Sequence, residues 1–167
     1  YVLLQYMLKE RFSIILDEIT QDLLTSKKSA EEGLIHICEL LKKHFDHYDW
    51  VGFYFAQFET KTLHLKAFAG IPTDHIIIPF GKGICGQVAI SNENFIVSDV
   101  KSQNNYISCS IDVRSEIVIP LFFEGKNIGQ IDVDSNQINS FTEKDVQLLK
   151  KICSLVSKNY GSSLLYL

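Results

Sequence analysis

Along the first 27 residues, Leu4, Met7, Leu8, Phe12, Ile15, Leu16, Ile19 and Leu23 recur at three- and four-residue steps. That period predicts an amphipathic helix. Ser29 followed by Glu32 is a capping box, opening a second helix to about Phe45 with Leu34, Ile37, Cys38 and Leu41 on one face. The period then changes to two. Residues 49–58 and 62–69 read as strands joined at Glu59–Lys61, and a third strand covers about 75–79. A short helix over about 84–91 leads to a strand at Phe95–Ser98, and the polar, aperiodic stretch 100–113 reads as a loop. Strands at 116–123 and 127–135 meet at Glu124-Gly125-Lys126, a hairpin signal. Thr142 with Asp145 caps a last helix whose inner face carries Leu149, Ile152, Cys153 and Val156.

Helices at both ends of a hairpin-connected sheet predict an α+β fold, with a mostly antiparallel sheet and the N- and C-terminal helices on one face. The chain has 167 residues, close to one ordinary domain, so residues 1–167 are read as a single unit. Apolar residues make up 46% and charged residues 22%, which excludes disorder and disulfide-dense miniature scaffolds. The net charge is -4, with acidic and basic residues spread over both halves, so no basic surface for nucleic acid is expected. The most apolar run, YVLLQYML, is stopped by Lys9-Glu10-Arg11 and is too short to span a membrane. It has no basic leader or small-residue cleavage site, so a cytoplasmic protein with reduced thiols is expected.

Several motifs invite chemistry and are better explained by structure. Gly81, Gly83 and Gly86 in GKGICG form a G-x-G-x-x-G with Asp99 further on. The helix that follows is too short for a parallel crossover, so a tight turn is preferred to a dinucleotide site. His44 and His47, with Asp46 and Asp49, sit where a helix meets a turn, and no partner cluster points to a metal. No metal or organic cofactor is expected. Cys38 and Cys153 fall on apolar helix faces and read as core residues. Cys85, in the first turn of the short helix, and Cys109, in the polar loop, are the two thiols expected outside the core.

The carboxylates sharpen the picture. In NIGQIDVDS, Gly129, Ile131 and Val133 share one strand face, while Gln130, Asp132 and Asp134 share the other. That second face is either solvated or a pocket, because a charge is buried only with a partner. Glu116 opens the preceding strand, and the hairpin brings it near Asp132 or Asp134. Three carboxylates beside a loop thiol would suit a ligand carrying an ammonium group.

The segments YDWVGFYFA, FGKGICG, SDV, YISCS–SEIVIP and IGQIDVDS, in that order over residues 48–135, resemble the GAF-domain family of free methionine-(R)-sulfoxide reductases. By that resemblance the fold is GAF-like, Cys109 matches the nucleophile and Cys85 a second family cysteine. Glu116, Asp132 and Asp134 match substrate-binding carboxylates, with Trp50 and Tyr54 at aromatic pocket positions. The resemblance implies reduction of free methionine-(R)-sulfoxide through a cysteine sulfenic acid and a disulfide, with thioredoxin or a similar dithiol as reductant. Two positions depart from the family. His75 stands where many members carry a third cysteine, ten residues before Cys85, and Ser110 stands where Asp often follows the nucleophile. Cys85 or an external thiol must then resolve the oxidised nucleophile, and the two cysteines could exchange roles. A non-catalytic GAF module that binds and reports a small ligand is the rival reading. The apolar N-terminal helix suits a homodimer interface.

Overall fold

The computed structural model describes residues 2–102 and 112–165, with side chains from residue 11 onward. Cys109, the nucleophile candidate by resemblance, therefore lies outside the described residues, as does Ser110. Among the described residues the elements run α1 (Val2–Thr25), α2 (Ala30–His44), β1 (Trp50–Gln57), β2 (Thr62–Ala69), β3 (Ile77–Pro79), α3 (Gly83–Ser91), β4 (Phe95–Val97), β5 (Ser115–Phe123), β6 (Lys126–Ser135) and α4 (Glu143–Leu164). The strands form one sheet in the order β3-β2-β1-β6-β5-β4, with every neighbouring pair antiparallel. The expected α+β architecture is present.

Both capping boxes close as their spacing predicts. Ser29 and Glu32 exchange side-chain and backbone bonds at the start of α2, and Thr142 and Asp145 do so at α4. The alternation of β1, β5 and β6 splits the sheet into two faces. Val51, Phe53 and Phe55, Ile117, Ile119 and Leu121, and Ile131 and Val133 turn toward α1, α2 and α4. Ile15, Ile19, Leu34, Ile37, Leu41, Leu149, Ile152 and Val156 meet them there. Each such fully buried aliphatic side chain contributes about 1.5–3 kcal/mol relative to exposure. Cys38 and Cys153 are part of this core, and burial raises both thiols, Cys153 to about 12.

The opposite face is covered by α3. β3 and β4 are the two outer strands of the sheet, so α3, which joins them, crosses that whole face. Among the described residues no strand pair is parallel, which excludes the dinucleotide-binding arrangement for this sheet. The glycines of GKGICG serve the turn: Gly81 and Gly83 take φ of 81° and 62°, a region costly for residues with a Cβ. Asp99 caps a short turn, accepting from the Lys101 backbone N–H at 3.1 Å.

β3 is shorter than its apolar pattern suggests. Its expected first residue, His75, spends its backbone differently: the N–H donates to Thr73 Oγ1 (3.1 Å) and the C=O accepts from Tyr54 Oη (3.0 Å). A 3₁₀ turn spans Val100–Ser102.

Candidate active site

The site grows from the register of three strands. Asp134 of β6 stands opposite Trp50 of β1 on one side and Glu116 of β5 on the other. Two residues back along β6, Asp132 stands between Gly52 and Val118. Directly opposed residues of an antiparallel pair project from the same face. Glu116, Asp132 and Asp134 therefore share the face that α3 covers, away from the main core. All three are at most 3% exposed, so the solvated alternative for this strand face is overturned.

Burial dominates their electrostatics. It pushes Glu116 well above the ordinary carboxylate range, with the charges of Asp132 and Asp134 adding to the rise. It does the same to Asp134, seconded by Asp132 and Asp49. Burial raises Asp132 to about 7, opposed by a hydrogen bond from Cys85. Three buried carboxyls so close cannot all ionise without a cation among them. Protons are stored there, or a cation replaces them. Asp132 Oδ1 and both oxygens of Asp134 have no hydrogen-bond partner among the described residues.

Cys85 reaches this group from the first turn of α3, its Sγ donating to Asp132 Oδ2 at 3.2 Å. The expectation that Cys85 lies outside the core is corrected: it is 4% exposed and packs with Ile84, Val88, Val97 and Val118. The reason is the crossing of α3, which presses its first turn onto β5 and β6. Gly86 makes the crossing possible, because a Cβ there would lie 2.5 Å from the Pro79 carbonyl oxygen.

The aromatic candidates line the same face. Trp50 stacks on Phe68 (centroids 6.0 Å, planes 15° apart) and its ring centroid lies 6.3 Å from that of Tyr54. Its indole rests across Gly52, where a methyl group would collide with the ring. Trp50 Nε1 is buried without a hydrogen-bond partner among the described residues. A cavity of about 560 Å³ opens at this end of the site, walled by Trp50, Asp134, Asp49, Lys42 and Val113 among others. Its size is that of a small-molecule site.

The residues on either side of 103–111 are fixed beside the trio. Val100 N–H donates to the Arg114 carbonyl (2.9 Å), and Arg114 N–H to the Ser135 carbonyl (2.8 Å). Val100 and Val113 pack with Cys85 and Trp50. The sequence displays the polarity of residues 100–113 and hides these anchors, although two valines in a polar stretch are their signal. Gln130 is a further residue that sequence reasoning misses as part of the site. It continues the Asp134–Asp132 row, is fully buried, and neither of its amide atoms has a partner among the described residues.

Cys85, Glu116 and Asp132 have one ligand atom each within 4.8 Å of one another, the geometry of an ion site or of a proton relay. A metal would have to displace the protons that burial retains there. The thiol-to-carboxylate bond is the chemistry the geometry displays. The histidine cluster has a structural explanation. His47 Nε2 lies 3.7 Å from Asp145, which also accepts from the buried Tyr48 hydroxyl, and His44 lies 3.4 Å from Glu18.

A family described as GAF domain matches residues 9–159. The free methionine-R-sulfoxide reductase of Saccharomyces cerevisiae is 33% identical over 156 residues, covering 86% of each chain. GAF domain-containing protein A of Dictyostelium discoideum is 36% identical over 148 residues, covering 89% of this chain and 91% of that one. The X-ray structure of the free methionine-R-sulfoxide reductase of Neisseria meningitidis with its substrate superposes with a TM-score of 0.85 at 31% identity. That alignment covers 93% of this chain and 92% of the other.

Proposed function

The chain belongs to the GAF domain family and, within it, to the free methionine-R-sulfoxide reductases, and from that premise we propose that it reduces free methionine-(R)-sulfoxide to methionine with its own thiols. The observation that carries the reading is the buried trio Glu116, Asp132 and Asp134 with Cys85 hydrogen-bonded into it. A substrate ammonium supplies the positive charge that lets members of the trio ionise. A carboxyl that keeps its proton supplies the acid.

In this mechanism Cys109 is the nucleophile. It stands four positions before Val113, which lines the cavity with Asp134, so at most about 14 Å of extended chain links the two. Its thiolate attacks the sulfoxide sulfur while a protonated carboxyl of the trio protonates the oxygen. The hydroxyl then passes from the substrate sulfur to the Cys109 sulfur as the new S–S bond and the S–O bond break, so methionine departs with its sulfur reduced by two electrons and Cys109 is left as a sulfenic acid. Cys85 then gives its proton to Asp132, attacks the Cys109 sulfur and displaces water, forming a disulfide. An external dithiol such as thioredoxin returns both thiols by exchange. With His75 in the family's third-cysteine position, Cys85 carries the resolving role alone. Trp50 and Tyr54 flank the methyl-sulfur end of the substrate. A cytoplasmic homodimer paired through α1 completes the reading, since Ile14 and Leu24 of that helix are exposed.

Turnover of purified protein with a thioredoxin-coupled assay tests the reading. The free R epimer is consumed, and the S epimer and peptide-bound methionine sulfoxide are not. Equal rates on both epimers, or saturable binding with no reduction, would overturn it, the latter in favour of a ligand-sensing module.

A further inference from the structure

The cavity beside the trio is lined by side chains of both charges. Asp134, Asp49 and Asp112 line it, and Asp134 offers two oxygens with no hydrogen-bond partner among the described residues. These groups attract the ammonium of a free amino acid and repel its carboxylate. Lys42, in the last turn of α2, lines the same cavity. It makes no ion pair among the described residues, whereas Lys28 is paired with Asp22 and Arg114 with Asp99. Its neighbour Lys43 carries the same charge on the same turn but does not line the cavity.

Resting on the reading of this cavity as an amino-acid site, we infer that Lys42 holds the α-carboxylate of the ligand and is the residue that selects free amino acids over peptides. A lysine ammonium forms a charge-assisted hydrogen bond with a carboxylate, and a peptide or amide presents no charge in its place. The two ends of the zwitterion are then read by two lining residues of opposite charge: ammonium by Asp134, carboxylate by Lys42. Lys42 is exposed and its four-carbon stem is flexible, so the ammonium can close on the ligand after entry.

The chain's one tryptophan, Trp50, lies in the cavity wall and reports binding by its fluorescence without any turnover. Titrations with L-methionine and with L-methioninamide, which keeps the ammonium and lacks the carboxylate, separate the two ends. In Lys42→Gln the dissociation constant for methionine is expected to rise about tenfold or more, with methioninamide changed less than about twofold. Lys42→Arg keeps most of the preference for the acid, and Lys43→Gln leaves both ligands unchanged. An equal loss for both ligands, an unchanged methionine affinity in Lys42→Gln, or an equal effect of Lys43→Gln overturns the inference. Because no reduction is read, a protein that binds methionine through Lys42 without reducing its sulfoxide fails as a reductase and leaves this assignment standing.

Discussion

Cys85 Sγ lies 3.2 Å from Asp132 Oδ2 and donates its proton to it, at the point where the first turn of α3 meets β6. The thiol and the base that would take its proton are thus already in contact. On this account Asp132 acts after the sulfoxide is reduced, when Cys85 must become a nucleophile. Cys85→Ser is expected to complete the first reduction and stop, leaving a sulfenic acid that dimedone labels in about one equivalent. Labelling is checked by mass spectrometry. A variant that cycles at the wild-type rate with thioredoxin would remove Cys85 from the chemistry.

The trio makes stability depend on pH in a stated direction. Asp132 ionises near 3.8 ordinarily and at about 7 in the fold. Between these values the folded protein binds a proton that the unfolded chain has released, so stability falls as pH rises through that window. Below it Asp132 imposes no cost, and above it the fold bears the desolvation of its charge. Glu116 and Asp134, raised by the same burial, extend the loss upward. Urea midpoints of the ligand-free protein should fall from about pH 5 to about pH 8. Asp132→Asn should flatten that fall and be the more stable protein at the upper end. A wild-type midpoint that rises over this range contradicts the electrostatics.

Gln130 offers a cleaner stability test. Both atoms of its amide are buried without partners among the described residues, so the native state bears their desolvation. Gln130→Leu keeps a similar volume, removes that cost and should stabilise the fold by about 1–3 kcal/mol. Thermal melts decide it, and a lower melting temperature would show that the amide is held by a group that the substitution strips of its partner.

The cysteines of the main core should behave differently from Cys85. Cys38→Ser and Cys153→Ser place a hydroxyl among apolar side chains at a cost of about 1–3 kcal/mol. Neither should change the number of methionine molecules released in a single turnover. Loss of that first turnover in a folded Cys38→Ser or Cys153→Ser protein would bring the main core into the mechanism.

Periodicity makes the elements legible, because each strand and helix buries one face and the apolar steps record which. It also separates Asp132 and Asp134 from Ile131 and Val133. What it leaves open is whether the carboxylate face meets water or protein. That is decided by α3 crossing from one outer strand to the other, a contact between segments far apart in sequence that no local pattern encodes. The same crossing buries Cys85, whose place in a first helical turn suggests access. Pairing of Glu116 with Asp134, rather than Asp132, follows from the β5–β6 ladder. The residues around the hairpin leave both open, since a register slip moves every pair. Trp50 lying across Gly52 is equally hidden, since nothing in the sequence marks that glycine as the floor beneath the ring.

The most direct measurement is the count of methionine released when fully reduced protein meets free methionine-(R)-sulfoxide with no external reductant. The account predicts about one equivalent per chain, accompanied by a single new disulfide that joins Cys85 to Cys109 in the peptide map. No methionine, or methionine released while all four cysteines still titrate as thiols, would contradict it.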